Sequence, residues 1–395
     1  MISADKLKQD FGTEIAVIVL VCRVFVGTAA DDELSVFISE NNIDWQQVYT
    51  IARIHQLRPV AFKVLYKFHI PKDIKDKLQA NCTHIAMHNL EHARELARIF
   101  ETLNNSGVTA IPYKGSIFCV EYYKDLGLRE FSDIDFLINL DLKDLSTIKK
   151  SFEQAGYIDK SNVPEEFKAT LFRYTREYYF DKYEGDKRQF HAEFHWATAS
   201  QVFDFPTPLP NSLLFRNLKE SNICGKQVKV LSDTHHFIAM ATHHGLNQRW
   251  GLIKYMMDFA MIVKNGKDLN WEEVTAISKT YGFNKAVNIG LYIADELLGI
   301  KPDVTYKAPA DAHAYLIELL DSLNKSRKDT TSVLLLNLKI KDNLGDKLKM
   351  ISKYIRYSAT PSILDYKFLK LPKGLYFLYL FVKPIRMLAS SSKKD

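Results

Sequence analysis

Two aspartates one residue apart, Asp133 and Asp135, have the spacing in this sequence that most directly indicates chemistry. Apolar side chains alternate with them, and the pattern predicts a strand over residues 132–139. Because side chains alternate faces along a strand, both carboxylates lie on one face and the apolar residues on the other. Adjacent negative charges repel unless a cation lies between them, so the pair indicates a divalent metal. A solvated loop or edge without a metal is the alternative for such a pair.

A third acid lies in a later predicted strand, residues 188–196, which reads Arg-Gln-Phe-His-Ala-Glu-Phe-His-Trp. Alternation places Glu193 and His195 on one face of that strand, with Phe and Ala side chains on the other. Glu193 is therefore a candidate third carboxylate beside the first pair. The alternative is a surface acid on an edge strand.

A turn suited to phosphate precedes the acidic pair. A predicted strand at residues 108–113 leads through Gly115 and Ser116 into a predicted helix at residues 117–123. Backbone N–H groups at such a turn suit phosphate oxygens. Three cations are further candidates for a bound triphosphate, and for each the alternative is a surface ion pair: Lys114, Arg129 and Lys254.

Histidines cluster in one predicted helix after Ser232, as the pairs His235-His236 and His243-His244. His236 and His243 are two turns apart on one face, and with Asp258 they could hold a metal. Zinc sites on one helix more often use positions i and i+4, which disfavours that reading. We expect imidazoles to line a nucleotide or acceptor pocket instead, and the candidates are His195, His243 and His244. Trp250 could stack on a base there, although a buried core tryptophan is the default.

Taken together, these motifs resemble a known family. A Gly-Ser turn, then apolar-Asp-apolar-Asp-apolar, then a lone acid in an apolar strand is similar to the pattern of the DNA polymerase β-like nucleotidyltransferase superfamily. More narrowly, the Lys-Gly, Leu-Arg-x-x-x-Asp-Ile-Asp, Glu-Phe-His-Trp and Trp-x-x-x-Lys segments resemble an uncharacterised bacterial nucleotidyltransferase family. The resemblance covers most of the chain. One departure is the interval between Ser116 and Asp133, which is longer than is usual in the superfamily.

The resemblance implies a transferase that moves NMP from an NTP, with ATP as one candidate, to a hydroxyl of a small molecule, peptide or protein. It implies that Asp133, Asp135 and Glu193 hold two Mg²⁺ or Mn²⁺ ions, and that Glu193 is a candidate acceptor of the hydroxyl proton. Two alternatives stay open. One is a nucleotidyltransferase toxin that modifies tRNA, although nucleic acid is not the favoured partner; the other is a non-catalytic scaffold that binds nucleotide or a partner protein.

Composition is that of an ordinary folded protein. The 395 residues are 47% hydrophobic and 25% charged, and the formal charge of +6 permits a basic cleft without requiring one. The four cysteines form no Cys-x-x-Cys pair, which disfavours a disulfide framework or structural zinc and indicates reduced thiols in a cytoplasmic protein.

Two apolar segments need separate interpretation. The run at residues 15–26 is preceded by acids and contains Arg23, so it predicts a buried helix and no signal peptide. The tail at residues 374–388 is too short and interrupted to span a bilayer. We expect no transmembrane segment and expect the tail to dock on the protein body, with contact to a membrane surface as the alternative.

The predicted fold class is α+β, with a small mixed sheet flanked by helical regions at both ends. Helical spacing dominates before residue 107 and after Ser232, and strand-like alternation lies between them. We predict an N-terminal helical region at residues 1–74, an α/β nucleotidyltransferase core at 75–230 and a C-terminal helical domain at 231–395.

Overall fold

A five-stranded mixed sheet lies at the centre of the chain in this computed structural model. The structure describes residues 1–139, 142–159, 172, 175–200, 202, 204–323, 333–360 and 362–391. The strands of the sheet are β1 (Ala110–Pro112), β2 (Ile134–Ile138), β3 (Tyr157–Ile158), β4 (Glu177–Glu184) and β5 (Lys187–His195). Their order across the sheet is β1-β2-β5-β4-β3, so β5 is an interior strand. The reading of Glu193 as an edge-strand acid is therefore wrong.

The sheet is mixed because only β2 and β5 run parallel; the other neighbouring pairs are antiparallel. The β4–β5 hairpin turns at Gly185, whose φ of 57° suits glycine. Between β2 and β3 the chain forms α8 (Leu142–Gln154), which crosses over to the far edge. The predicted strands all form, with ends shifted by at most two residues.

One face of this sheet forms an apolar core, as the alternation predicted. Ile134, Phe136 and Ile138 are buried there, and the ring of Phe136 stacks on that of Phe194 at 5.6 Å between centroids. Phe180 on β4 packs against the same ring of Phe194. The acidic side chains are left on the opposite face, towards the C-terminal helices.

Helices precede the sheet, as predicted. The apolar run becomes a buried helix, and its Arg23 donates hydrogen bonds to the carbonyl oxygens of Leu297 (2.8 Å) and Ile2 (2.7 Å). A long helix then leads to β1 and ends at Asn105, close to residue 107, where the helical spacing of the sequence ends. These helices are α1 (Ala4–Phe11), α2 (Thr13–Val26), α3 (Asp31–Glu40), α4 (Trp45–Ile54), α5 (Arg58–Leu65) and α6 (Lys72–Asn105).

After the sheet the chain is again mostly helical. The helix predicted after Ser232 is confirmed, and the Ser232 side chain caps it by accepting a hydrogen bond from the His235 N–H group. The helices are α9 (Asn211–Leu214), α10 (Asp233–Ala241), α11 (Ile253–Asn265), α12 (Trp271–Tyr281), α13 (Asn284–Leu298), α14 (Ala312–Ser322), α15 (Val333–Lys339), α16 (Leu344–Ala359), α17 (Ile363–Phe368) and α18 (Tyr379–Ser391). Buried residues of α2 and α13 belong to one continuous hydrophobic core, so helices from both ends of the chain pack together.

Three local features differ from the prediction. The helix after the Gly-Ser turn is only one turn of α-helix, α7 (Gly115–Phe118), and continues as a π-helical turn over Cys119–Tyr123. A second, two-stranded sheet, β6 (Leu218–Ile223) with β7 (Lys226–Leu231), was not predicted. The sequence pattern of residues 250–263 predicts a helix from Trp250, whereas α11 begins three residues later, at Ile253. Among the described residues, no helix has the length and apolar content needed to cross a membrane.

Candidate active site

The sheet places two of the predicted acids side by side. Asp135 on β2 and Glu193 on β5 are direct partners in the parallel register. Asp133 comes just before the first residue of β2 and lines the same cavity, which has a volume of about 410 Å³. The three candidate carboxylates therefore converge on one cavity, although Asp133 lies outside the strand that was predicted to contain it.

Two cationic or protonatable side chains lie among these acids. Lys114 Nζ is 2.6 Å from Asp135 Oδ1, and both side chains are buried. His195 Nε2 lies 2.9 Å from Asp135 Oδ1 and 3.0 Å from Glu193 Oε2. Burial and the neighbouring Asp133 carboxylate raise the pKa of Asp135, although Lys114 and His195 act in the opposite direction. Protein cations thus offset the like-charge repulsion.

The donor set fits a divalent ion. Asp135, Glu193 and His195 each offer one ligand atom, and these atoms lie within 4.8 Å of one another. Two carboxylates and one imidazole suit Mg²⁺ less than Mn²⁺, which accepts nitrogen more readily. Asp133 adds a third carboxylate at the cavity wall, with no hydrogen bond or salt bridge to the other described residues.

Neighbouring side chains hold Glu193 in place. His191 Nε2 lies 3.1 Å from Glu193 Oε1, and His191 Nδ1 lies 2.6 Å from Asp181 Oδ1. On the other side, His195 Nδ1 is 3.1 Å from a carboxylate oxygen of Glu177. Burial raises the pKa of Glu193, but the contacts with the two histidines outweigh it and hold the pKa well below its ordinary value. Glu193 is therefore a fixed anion.

The Gly-Ser turn is placed against the acidic strand by its glycine. Gly115 has a φ of +57°, and a Cβ atom there would lie 3.1 Å from the backbone oxygen of Asp133. Gly115 lines the cavity, as predicted for a residue near a phosphate. Ser116 is buried, its hydroxyl has no hydrogen-bond partner among the described residues, and it is not one of the cavity-lining residues.

The three predicted phosphate-binding cations all line the cavity, but they are not equally available. Lys114 pairs with Asp135, and Arg129 forms two hydrogen bonds of 2.8 Å with Asp258. Lys254 donates a hydrogen bond to the Gln56 side chain and forms no salt bridge with the described residues. Burial, followed by the nearby Arg129, lowers the pKa of Lys254 to about 8. Lys254 is thus a buried amine with no carboxylate in direct contact among the described residues, although Asp258, Asp133 and Glu130 are near enough to raise its pKa in part.

The candidate pocket residues divide into two groups. His243 and His244 line the cavity, and His244 Nε2 lies 3.1 Å from Asp258 Oδ2. His195 is fully buried among the acids, behind the cavity surface. Trp250 is also buried, and its ring packs on that of Phe259 at 5.0 Å and away from the cavity wall.

The alternative histidine metal site does not form. His236 contacts the carbonyl oxygen of Tyr113, whereas His243 Nε2 lies 3.4 Å from Lys114 Nζ. Asp258, the proposed carboxylate partner, is bound by Arg129 and His244. The π-helical turn over Thr242–Asn247 breaks the regular spacing that placed both histidines on one face.

Several cavity residues carried no recognisable signal in the sequence. Arg176 is the most informative, because its Nε donates to Glu177 at 2.7 Å while its buried Nη1 has no hydrogen-bond partner among the described residues. Its position just before the strand that pairs with β5 was the only clue. The other cavity residues that were not predicted are Gln56, Arg58, Glu130, Phe131, Ser132, Gln248 and Tyr255.

Comparison with known proteins agrees with this arrangement at the level of the family. The model of a family described as uncharacterised nucleotidyltransferase matches residues 41–299, which include the whole sheet and the cavity. No curated protein and no solved structure matches the chain. Since the family model covers well over half of its residues, the chain belongs to this uncharacterised nucleotidyltransferase family and is a nucleotidyl-transferring enzyme by membership.

Proposed function

We propose that this protein transfers NMP from an NTP to a hydroxyl group of an acceptor, with divalent metal ions bound by Asp133, Asp135 and Glu193. The observation that carries the proposal is the pairing of Asp135 with Glu193 at the wall of a cavity that Asp133 also lines. Divalent ions bound there would neutralise the negative charge on the phosphoryl oxygens and would lower the pKa of the attacking hydroxyl.

The protein's own cations bind the triphosphate. Lys254 and Arg176 both line the cavity; Lys254 forms no salt bridge with the described residues, and the buried Nη1 of Arg176 has no hydrogen-bond partner among them. Phosphate oxygens provide the anionic acceptors that these groups lack, and a guanidinium can bind two such oxygens at once. Gly115 lets the backbone approach the acidic strand closely, which keeps the phosphate-facing turn and the carboxylates within one cavity.

The chemical step is an in-line displacement at the α-phosphorus. The acceptor oxygen forms a bond to that phosphorus, and the bond from phosphorus to the bridging oxygen of pyrophosphate breaks. The hydroxyl proton leaves for solvent, and Glu193 stays ionised as a ligand of the metal ion that would lower the pKa of this hydroxyl. His191 and His195 orient Glu193 for this role through their contacts with its two oxygens.

The test combines nucleotide binding with turnover. The full chain is titrated with each of ATP, GTP, CTP and UTP in the presence of Mg²⁺ or Mn²⁺. Small-molecule, peptide and protein hydroxyl acceptors are then added, pyrophosphate release is measured with γ-labelled nucleotide, and transfer of NMP is measured with α-labelled nucleotide. We expect at least one nucleotide to bind in a metal-dependent manner and label to appear on an acceptor. Replacing Asp133 and Asp135 together by Asn is expected to lower turnover by at least about a thousandfold.

The matched control is Asp186→Asn, an exposed acid at the tip of the β4–β5 hairpin. It changes the same type of side chain on the same sheet and is expected to leave turnover unchanged. Absence of nucleotide binding with either metal contradicts the proposal. Nucleotide binding that survives loss of both aspartates, without turnover in the unaltered chain, would favour a scaffold.

A further inference from the structure

The C-terminal segment, residues 344–391, exposes an unusual amount of apolar surface. Of the 20 large hydrophobic side chains exposed among the described residues, 12 lie between Leu344 and Ile385. They are Leu344, Leu348, Ile351, Ile355, Leu364, Phe368, Leu369, Leu375, Phe377, Leu380, Phe381 and Ile385. Scattered exposed apolar residues are normal on a soluble surface, but a concentration in one short segment marks an interaction surface.

The helices of this segment are apolar on two sides. In α16, Leu348 and Ile355 are seven residues apart on one exposed face, whereas Met350 on the other side is fully buried. In α18, Tyr379 and Val382 are buried and Phe381 is 69% exposed. One apolar side of each helix is therefore packed, that of α18 against neighbouring helices of the same segment, and a second apolar side remains on the outside. Docking of the tail on the protein body stays a prediction. A surface helix with a purely structural role has a polar outer face.

The segment is held in a defined arrangement by its polar contacts. Lys383 Nζ donates to the carbonyl oxygens of Tyr357 (2.9 Å) and Thr360 (3.1 Å), which joins α18 to the end of α16. Arg386 Nε lies 2.8 Å from Asp365 Oδ1, which joins α18 to α17. The exposed apolar side chains thus stand on helices that are fixed to one another.

Charge distinguishes between the possible occupants of this surface. The segment contains nine Lys and Arg residues and two acids, for a net charge of +7, whereas the whole chain carries only +6. Both acids, Asp346 and Asp365, are buried. Exposed cations lie between the apolar residues, among them Lys349, Arg356, Lys367 and Lys370. A second copy of the chain that packs through the same surface would bring a like charge against it, so the charge favours an anionic occupant.

We propose that the segment docks on the surface of an anionic phospholipid bilayer, with its exposed apolar side chains inserted among the acyl chains near the headgroups. Apolar side chains interspersed with lysine and arginine are the composition of helices that lie in the plane of the interface. The described helices include none able to cross a membrane, so the contact is with one leaflet. The family match ends at residue 299, so this surface is separate from the proposed catalytic function.

The experiment is co-sedimentation of the full chain with vesicles of phosphatidylcholine alone, or with roughly 30% phosphatidylglycerol added. We expect binding to the anionic vesicles and little binding to the neutral ones. Binding is expected to weaken as salt rises from about 0.1 M to about 0.5 M, because salt screens the lysines and arginines. The double variant Leu348→Gln with Phe381→Gln is expected to bind on the order of tenfold more weakly, since it removes two large apolar groups from the interface.

The matched control replaces two equally exposed apolar residues elsewhere, Val36→Gln with Met87→Gln, and is expected to bind as the unaltered chain does. All four sites are exposed, and thermal unfolding verifies that each variant remains folded. The Lys367→Gln with Lys370→Gln variant is expected to lose the preference for anionic vesicles. The proposal is overturned if the unaltered chain does not bind anionic vesicles, or if the Leu348 and Phe381 variant and the Val36 and Met87 control lose binding equally. It is also overturned if light scattering shows a dimer that only the Leu348 and Phe381 variant disrupts.

Discussion

Lys114 and Asp135 form a buried ion pair at the wall of the cavity, with 2.6 Å between Lys114 Nζ and Asp135 Oδ1. Breaking a buried pair by removing one partner leaves an uncompensated charge, which costs about 3–5 kcal/mol. We expect Lys114→Met to lower the free energy of unfolding of the metal-free protein by about this amount. Added Mg²⁺ or Mn²⁺ is expected to raise the melting temperature of the variant more than that of the unaltered chain, because the ion supplies the missing positive charge.

The comparison is made by thermal unfolding with EDTA and with each metal. Lys6→Met serves as control, because Lys6 and Asp10 form an exposed pair on α1, and exposed pairs contribute at most about 1 kcal/mol. Equal metal-induced shifts in the Lys114 variant and the unaltered chain would show that the ion does not replace the Lys114 charge beside Asp135.

The fold was predictable from sequence where the pattern is local. β2 was visible as an apolar alternation, and α12 and α13 as helical segments over residues 271–279 and 284–298. The β6–β7 hairpin was missed because its strands have six residues each and few apolar side chains. The parallel pairing of β2 with β5 joins residues about sixty positions apart, and no spacing within one segment encodes such a pairing.

The candidate site shows the same division. The acids were recognised because Asp-x-Asp and the alternation around Glu193 are local signals. The partners of the cations were not recognised. Arg129 pairs with Asp258 on a distant helix, and Lys114 pairs with Asp135, which the sequence analysis had assigned to the metal. Burial decided the position of Trp250, which a one-dimensional pattern does not report. Tertiary pairing of charges therefore accounts for most of what the sequence left open.

Lys254 provides a prediction about protons. Burial and the Arg129 charge lower the pKa of the Lys254 amine to about 8. At that pH the amine is protonated in about half of the nucleotide-free molecules. A bound triphosphate adds negative charge beside the amine and raises its pKa. We expect nucleotide binding near pH 8 to take up protons from the buffer, measured by calorimetry in buffers of different ionisation enthalpy.

Lys254→Met is expected to abolish this uptake and to weaken nucleotide binding by about tenfold or more, because a charge-assisted hydrogen bond is lost. Lys187→Met, an exposed lysine in the β4–β5 hairpin, is the control and is expected to change neither quantity. Unaltered proton uptake in the Lys254 variant would place the triphosphate elsewhere.

Gly290 on α13 is expected to be intolerant of even a methyl group. A Cβ atom there would lie 2.5 Å from Cζ2 of the buried Trp250 ring. Although alanine normally stabilises a helix relative to glycine by about 1 kcal/mol, overpacking of this kind costs about 1–3 kcal/mol. We expect Gly290→Ala to lower the free energy of unfolding, measured by urea titration.

A double-mutant cycle identifies the cause. Trp250→Phe shortens the ring that the methyl group would meet, so Gly290→Ala is expected to be less destabilising in the Phe background than in the unaltered chain. Equal effects in both backgrounds would locate the strain at another neighbour.

Buried histidines predict a loss of stability in mild acid. Burial lowers the pKa of His236 to about 4, and its side chain contacts the Tyr113 carbonyl oxygen. His236 takes up its proton near pH 6.5 in the unfolded chain and only near pH 4 in the folded chain. Its contribution to the free energy of unfolding is therefore fully present above pH 6.5 and is lost as the pH falls from 6.5 to 4. One such histidine contributes at most about 1.4 kcal/mol per pH unit to that slope.

His236→Gln is expected to reduce the slope of unfolding free energy between about pH 6.5 and 4. His84→Gln, at an exposed position on α6, is expected to leave the slope unchanged, and an unchanged slope in the His236 variant would mean that this imidazole is already protonated in the folded protein.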